Sequence, residues 1–157
     1  MLVFSMRTVF TGSAGTTFSE QGVLKIIVGQ AATRAATVTA EMVQAYAKVT
    51  GDCNPLHFDP DFAGRTRFKQ LIAQGGIATG LRHALVGMDM PGPGTVFTSR
   101  QWSFPKPVYI GNTIRAEARV KRVFKKRRIS EIEFTVENQP GEQILRGQAT
   151  VYQAAPV

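Results

Sequence analysis

The stretch that decides the fold is GGIATGLRHALVGMDM, residues 75–90, because the period of the apolar residues changes after it. Within it, the larger apolar residues recur at helical spacing and form one stripe. That stripe consists of Ile77, Leu81, Ala84, Leu85 and Met88. We therefore predict one long helix over 75–90, which the sequence PGPG at 91–94 ends. The first turns of this helix are rich in glycine and alanine, so another part of the molecule can approach its backbone closely.

Beyond residue 94 the apolar residues alternate with polar ones, which is typical of strands with one face in water. Three such strands have as inward residues Ile114, Ala116, Ala118 and Val120, then Ile132, Phe134 and Val136, then Leu145, Ala149 and Val151. The segment TVFTSRQWSF, 95–104, is predicted to be a further, more buried strand. A strand is also expected within 22–39, near its β-branched residues. This order predicts an α+β fold with one long helix on one face of a curved antiparallel sheet.

The composition is that of a globular protein, since 43% of the 157 residues are hydrophobic and 19% are charged. We interpret residues 1–24 as a poorly ordered leader or a first strand, and 25–157 as a single domain. A signal peptide is not expected, because no basic region precedes the apolar start and Arg7 interrupts it. No apolar run approaches the ~18 residues of a membrane span. The single cysteine, Cys53, fits a reducing cytoplasm, which is the predicted location.

A second helix is predicted before residue 52, followed by a loop. Thr39 suits the N-cap, Glu41 the first turn and Gly51 the C-terminal stop. The apolar residues of this helix are Met42, Val43, Tyr46, Ala47 and Val49. Asn54 and Asp59 each precede a proline, which disfavours helical geometry, so the segment after the helix is expected to turn.

The polar residues of this loop suggest acid–base chemistry. Asp52 and His57 are five residues apart across a turn, so both side chains can converge on one small molecule such as water. A carboxylate can take a proton, an imidazole can give or take one near neutral pH, and Asn54 can orient water without titrating. The alternative is that Asp52 and Asn54 only cap turns and that His57 is a structural histidine. No metal site or other cofactor is expected, because two histidines and scattered carboxylates do not form a familiar three-ligand set.

The chain carries a net charge of +8, which attracts anions. Its densest basic cluster is VKRVFKKRRIS, residues 120–130, which contains Lys125, Lys126 and Arg127. This cluster is either a solvated hairpin tip or a patch that contacts phosphate groups. Only one aromatic residue, Phe124, lies within it, and the chain has no recognisable nucleic-acid motif, so we expect no nucleic-acid partner.

The segment YAKVTGDCNPLHFDPDFA, residues 46–63, resembles the hydratase motif of the MaoC-like family, the (R)-specific enoyl-CoA hydratases with a hot-dog fold. The matching positions are Tyr46, Thr50, Gly51, Asp52, Asn54, Pro55, Leu56, His57, Asp59 and Ala63. The resemblance extends over roughly 25–152 and agrees with the α+β order. It implies a hot-dog fold, in which the sheet wraps the long central helix, and a homodimer or dimer of dimers that binds acyl-CoA near the subunit interface.

The resemblance also implies an activity, the addition of water to trans-2-enoyl-CoA to give (R)-3-hydroxyacyl-CoA. Asp52 matches the acid that takes a proton from water, His57 matches the residue that binds the same water, and Asn54 matches the amide that helps to orient the pair. Gly75 matches the glycine whose backbone N–H holds the thioester oxygen, a role that suits a helix N-terminus. Gln74 stands where the family usually has a histidine, and glutamine cannot titrate.

The resemblance places residues 62–72 on an overhang that covers the acyl pocket. Its basic residues, which are alternative contacts for the phosphates of CoA, are Arg65, Arg67 and Lys69. Asp59 and Asp61 are expected to cap or begin the next short helix, and His83 to be a surface or packing histidine. Two other functions remain open: another thioester enzyme, such as an acyl-carrier-protein dehydratase or a thioesterase, and a binding module for nucleic acid or acyl ligands.

Overall fold

The computed structural model describes residues 26–154, so the leader predicted for 1–24 lies outside the described residues. The strands are β1 (Ala31–Thr37), β2 (Thr95–Ser103), β3 (Thr113–Phe124), β4 (Ile129–Asn138) and β5 (Gln143–Gln153). The helices are α1 (Ala40–Thr50), α2 (Pro60–Arg65) and α3 (Gly75–Ala84). Short 3-10 turns lie at Pro55–His57 and Lys125–Arg127, and a π-helical turn at Leu85–Asp89 follows α3.

The five strands form one antiparallel sheet in the order β1-β3-β4-β5-β2. The alternation read from the sequence is confirmed, because the predicted inward residues of β3, β4 and β5 are all buried. The α+β fold with a central helix against an antiparallel sheet is therefore confirmed as well.

Helix α3 contributes a buried stripe to the core, which continues through the π-helical turn. Its buried members are Ile77, Ala78, Arg82, Leu85 and Val86. Facing it on β3, Ala116 and Ala118 are fully buried and small. Small side chains on the sheet shorten the distance at which a helix can pack on it, so α3 is held near the first strands of the sheet.

The prediction of one continuous helix over 75–90 is wrong in its last part. The α-helical hydrogen bonds end at Ala84, and the π-helical turn that follows has more residues per turn. The stripe therefore shifts: Met88, predicted to be buried, is 62% exposed, and Met90 is buried instead. At the end of the π-helical turn, Asp89 forms an ion pair with Arg34 of β1, which raises the pKa of the guanidinium.

Three other local expectations are corrected by the structure. Strand β2 is largely exposed rather than more buried, because it lies at an edge of the sheet and pairs only with β5. Val49 is 86% exposed, since its position in α1 lies away from the stripe formed by Val43 and Ala47. The first described strand begins at Ala31, after the turn that contains Gly29, rather than at the β-branched residues before that turn.

Helices α1 and α3 approach each other closely at a glycine. A methyl group placed on Gly76 would lie 1.8 Å from Oη of Tyr46 and 2.1 Å from its Cζ. Gly80, one turn further along α3, has no atom within 4 Å of the corresponding position. The contact between the Tyr46 ring and the first turn of α3 thus depends on a glycine at position 76.

The two glycines should respond in opposite ways to the same substitution. We expect Gly80→Ala to raise the free energy of unfolding by about 0.5–1 kcal/mol, because alanine favours the helix. Gly76→Ala should lower it by about 1–3 kcal/mol, because the Tyr46 ring must move. Urea unfolding of both variants measures the difference, and equal stabilities would show that the close approach does not constrain the fold.

Candidate active site

The candidate loop is positioned by helix α1 and the caps at its two ends. Oγ1 of Thr39 accepts a hydrogen bond from the N–H of Met42, so Thr39 is the N-cap as predicted. Gly51 ends the helix with φ of 79°, and its N–H donates to the carbonyl of Ala47 at 2.7 Å. A left-handed φ is strained for other residues, so glycine at 51 lets the chain leave α1 and place Asp52 immediately after it.

The ring of His57 is fixed by one backbone carbonyl. His57 is 8% exposed, and its Nδ1 lies 2.7 Å from the carbonyl oxygen of Ile72. Because a carbonyl only accepts, Nδ1 must carry the hydrogen. In the neutral imidazole the lone pair is then on Nε2, so Nε2 is the position at which a proton arrives or leaves.

Nε2 of His57 faces the carboxylate of Asp52. The distance from Nε2 to Oδ2 of Asp52 is 3.7 Å, which is too long for a direct hydrogen bond and allows a shared water molecule. The Asp52 side chain is 44% exposed, so the pair is accessible from solution. The convergence of Asp52 and His57 that their spacing suggested is therefore present in the fold.

Asn54 stabilises the loop between these two residues. Its Oδ1 accepts a hydrogen bond from the N–H of Leu56 at 3.0 Å and caps the 3-10 turn that carries His57. Its backbone N–H donates to Oδ1 of Asp52 at 3.4 Å. Asn54 thus acts on the pair through the backbone, and direct orientation by its side-chain amide stays a prediction.

Gly75 is the first residue of α3 and is exposed. The first N–H groups of a helix have no partner within the helix, so this end of α3 presents free donors. A methyl group placed on Gly75 would lie 3.1 Å from the ring of Phe104, which is itself 51% exposed. The ring of Phe104 therefore lies beside the first residue of α3.

Gln74 links the helix that carries Gly75 to the loop that carries Asp52. It is 2% exposed, and its Nε2 donates to the carbonyls of Val43 and Asp52, each at 3.3 Å. Only the amide nitrogen can face two carbonyls, so the orientation of the side chain is determined. Oε1 has no hydrogen-bond partner. The glutamine at this position therefore serves as a structural donor and does not need to titrate.

Comparisons with known proteins identify the family. Residues 27–141 match the family model of the MaoC like domain. The chain belongs to the MaoC-like family. An (R)-specific enoyl-CoA hydratase of Aeromonas caviae is 33% identical over 124 residues, which cover 79% of this chain and 92% of that protein. A mitochondrial 3-hydroxyacyl-[acyl-carrier-protein] dehydratase of Solanum lycopersicum is 30% identical over 150 residues, 94% of this chain and 86% of that protein.

A solved structure supports the same assignment. The (R)-hydratase from A. caviae involved in PHA biosynthesis has a TM-score of 0.79 at 32% identity, and the match covers 83% of this chain and 98% of that chain. The MaoC-like chain thus has the hot-dog fold, as the resemblance implied. Its relatives are hydratases and dehydratases, and it is an enzyme of this hydro-lyase class.

The basic residues predicted to bind phosphate lie in two places in this MaoC-like protein. Arg65, Arg67 and Lys69 follow the candidate loop and are all exposed, with the guanidinium of Arg67 lying 5.0 Å from the ring centroid of Phe68. The 3-10 turn Lys125–Arg127 is exposed at the tip of the β3–β4 hairpin. Strand β3, which leads to this turn, is about 36 Å long from Thr113 to Phe124, and the site segment packs near its Thr113 end. Within one chain the tip and the Asp52–His57 pair are therefore apart.

The predicted helix caps and the second histidine are found as expected. Oδ1 of Asp59 accepts from the N–H of Phe62 and caps α2, and Asp61 lies in its first turn. His83 is exposed and packs on the ring of Phe97, with centroids 4.9 Å apart. Burial of part of the ring, followed by the charges of Arg100 and Arg82, lowers the pKa of His83.

Two features were not found from the sequence, one in the candidate site and one in the core. The Ile72 carbonyl carries no side-chain pattern that could mark it. Arg82 is fully buried on α3, and its spacing from Ala78 and Leu85 could have placed it on the inward face.

In the part of the chain that the structure describes, no cluster of His, Cys, Asp or Glu could hold a metal ion. No helix among residues 26–154 is long and apolar enough to cross a membrane.

The capping role of Asn54 can be tested with a pair of variants. We expect Asn54→Ala to lower the free energy of unfolding by about 1 kcal/mol, because the N–H of Leu56 loses its acceptor. Asn54→Asp retains an acceptor and should remain within about 0.5 kcal/mol of the wild type. Urea unfolding checks both values, and an equal loss in the two variants would argue against the cap. A fall in turnover for a stable Asn54→Asp would assign the amide a direct role in the reaction.

Proposed function

We propose that this enzyme catalyses the reversible hydration of trans-2-enoyl-CoA to (R)-3-hydroxyacyl-CoA. The observation that carries the proposal is the separation of 3.7 Å between Nε2 of His57 and Oδ2 of Asp52, with Nδ1 of the histidine occupied by the Ile72 carbonyl. This arrangement suits one water molecule between a carboxylate and an imidazole. The name of the A. caviae relative, an (R)-specific enoyl-CoA hydratase, supports the same reaction.

In the proposed mechanism, Asp52 takes a proton from the bound water as the water oxygen forms a bond to C3 of the substrate. His57 starts the cycle protonated at both ring nitrogens, with Nδ1–H on the Ile72 carbonyl. The electron pair of the double bond moves towards the thioester oxygen, and Nε2 of His57 then delivers its proton to the α-carbon. The proton taken by Asp52 then replaces the one that His57 has given. Both groups return to their starting states, and the net change is the addition of one water molecule.

Negative charge develops on the thioester oxygen in this reaction, and the site offers a donor for it. The N–H of Gly75 is fixed at the first position of α3, where the helix dipole also favours negative charge. Gln74 connects this N–H to the Asp52 loop, so the donor and the water-binding pair are held in one frame. A preorganised donor of this kind contributes most when charge forms in a site from which water is excluded.

The second candidate is a 3-hydroxyacyl-acyl-carrier-protein dehydratase, which performs the same chemistry on another carrier. The S. lycopersicum relative carries that name and matches 94% of this chain. The net charge of +8 would attract an acidic carrier protein as well as the phosphates of CoA. Rates on crotonyl-CoA and on a crotonyl carrier protein, compared at equal concentration, decide between the two carriers.

We infer that the enzyme acts as a homodimer or a dimer of dimers in the cytoplasm. Strand β2 is an uncovered edge of the sheet, and Val96 on it is 54% exposed. An edge with free N–H and C=O groups can pair with a second copy. Light scattering after gel filtration should give twice or four times the mass of one chain, and a single-chain mass would refute the inference.

The roles of Asp52 and His57 predict large losses of turnover. Asp52→Asn and His57→Ala should each lower kcat by about 10²–10⁴-fold, because each removes a group that transfers a proton. The measurement is the loss of the conjugated-thioester absorbance of crotonyl-CoA, with chiral analysis of the product.

Asp59→Asn is the matched control for this experiment. It removes the charge of a neighbouring aspartate whose Oδ1 caps α2, and asparagine caps a helix equally well. Its rate should stay close to that of the wild type. Near-normal rates in folded Asp52→Asn or His57→Ala would contradict the proposed roles.

A further inference from the structure

Arg82 on α3 is a fully buried guanidinium without a hydrogen-bond partner. Its exposed fraction is 0%, and Nε, Nη1 and Nη2 have no acceptor in the described structure. A guanidinium has five N–H donors and stays charged over the physiological pH range. Buried charges in proteins are normally paired, so an unpaired one indicates that an acceptor arrives from outside the chain.

The guanidinium is held in place by an aromatic platform. Its carbon lies 3.7 Å from the ring centroid of Trp102 and 5.8 Å from that of Phe134, and the two rings are perpendicular. Gly147 of β5 pairs with Trp102 of β2 on one side and with Phe134 of β4 on the other. A methyl group placed on Gly147 would lie 2.5 Å from the Trp102 ring. The platform thus fixes one face of the guanidinium. Its donors lie in the guanidinium plane and have no acceptor among the described residues.

The charged groups that act on Arg82 are cations. Nη1 of Arg100 lies 3.0 Å from Nε2 of His83, the residue next to Arg82. Burial, and then the charge of Arg100, lower the pKa of Arg82 to about 9. None of the ion pairs found among residues 26–154 involves Arg82 or Arg100. The cluster of Arg82, His83 and Arg100 therefore lacks a negative group.

Arg82 lies on the same face of the same helix as the proposed thioester donor. Seven residues, about two turns or 10 Å, separate it from Gly75, and long helical side chains lean back towards the N-terminus. Two aromatic residues near the end of β2 lie against this stretch of the helix. Phe104 borders Gly75, and the ring of Trp102 lies against the guanidinium of Arg82. Only small side chains, Ala78 and Thr79, lie on the helix face in between.

We propose that Arg82 binds a carboxylate at the far end of the acyl group, so that the substrate is a short dicarboxylic 2-enoyl-CoA. This inference rests on the proposed function, since it places the thioester oxygen at the N–H of Gly75. The distance between the two anchors fits an acyl group of about four to six carbons. A carboxylate is planar and matches the guanidinium fork with two parallel hydrogen bonds.

The first experiment compares kcat/KM for glutaconyl-CoA, a five-carbon substrate with a terminal carboxylate, with that for its methyl ester. The wild type should prefer the carboxylate by about 10- to 100-fold, the usual effect of a hydrogen-bonded charge pair. Arg82→Met should reduce this ratio to near one. Arg115→Met, which removes an exposed charge from the outer face of β3, should leave the ratio as in the wild type.

A binding measurement separates the failure of this inference from the failure of the proposed function. Glutaryl-CoA is saturated and cannot react, and calorimetry should show that the wild type binds it at least tenfold more tightly than pentanoyl-CoA. Arg82→Met should lose that difference. If crotonyl-CoA is hydrated but neither preference for a carboxylate is found, the carboxylate site is refuted and the hydratase stands. If the binding preference is found without hydration of any enoyl-CoA, the hydratase is refuted and the carboxylate site stands.

The kinetic comparison of glutaconyl-CoA with its methyl ester and the binding comparison of glutaryl-CoA with pentanoyl-CoA are both made on the wild type. Neither result depends on whether a variant folds. A structure of the oligomer in which a carboxylate of a second copy occupies the Arg82 guanidinium would also overturn the proposal.

Discussion

The candidate site depends on the backbone of Ile72, which joins the loop that carries Asp52 and His57 to the start of the central helix. Its carbonyl accepts from Nδ1 of His57, and its N–H donates to the carbonyl of Leu56 at 3.1 Å. The next residue, Ala73, donates to the carbonyl of Val108 at 2.8 Å and so connects the segment to the approach to β3. The tautomer of His57 and the start of α3 are thus determined by the same few hydrogen bonds. A change that moves this segment would therefore displace the imidazole of His57 and the N–H of Gly75 together.

The parts of the fold that follow from local chemistry could be predicted from the sequence. Thr39, Gly51 and Asp59 cap helix ends through contacts within four residues, and all three predictions are confirmed. The alternating strands β3 to β5 were also predictable, because each has one face on the core and one in water. The loop between the helices could be placed, and the approach of Asp52 to His57 followed from its turns.

The parts that depend on distant contacts could not be predicted. The exposure of β2 follows from its edge position, which no residue within the strand determines. The π-helical turn after Ala84 ends at Asp89, which forms an ion pair with Arg34, 55 residues away in the sequence. The direct hydrogen bond to His57 is made by a backbone carbonyl, and every residue has one. From a sequence it is therefore easier to infer which side chains can react than to infer which groups hold them in place.

Arg82 shows where the demands of folding and of function separate in this protein. Thr95 and Ser130 also have buried hydroxyls without a partner, but a hydroxyl is neutral and has a single hydrogen to place. A guanidinium has five donors and a charge, and leaving it unpaired in a core is among the more destabilising arrangements known. Methionine or leucine would fill the same space between α3 and the Trp102 ring without that penalty. Stability alone would therefore favour an apolar residue at position 82, and the proposed carboxylate ligand explains the arginine better than the folding of the chain does.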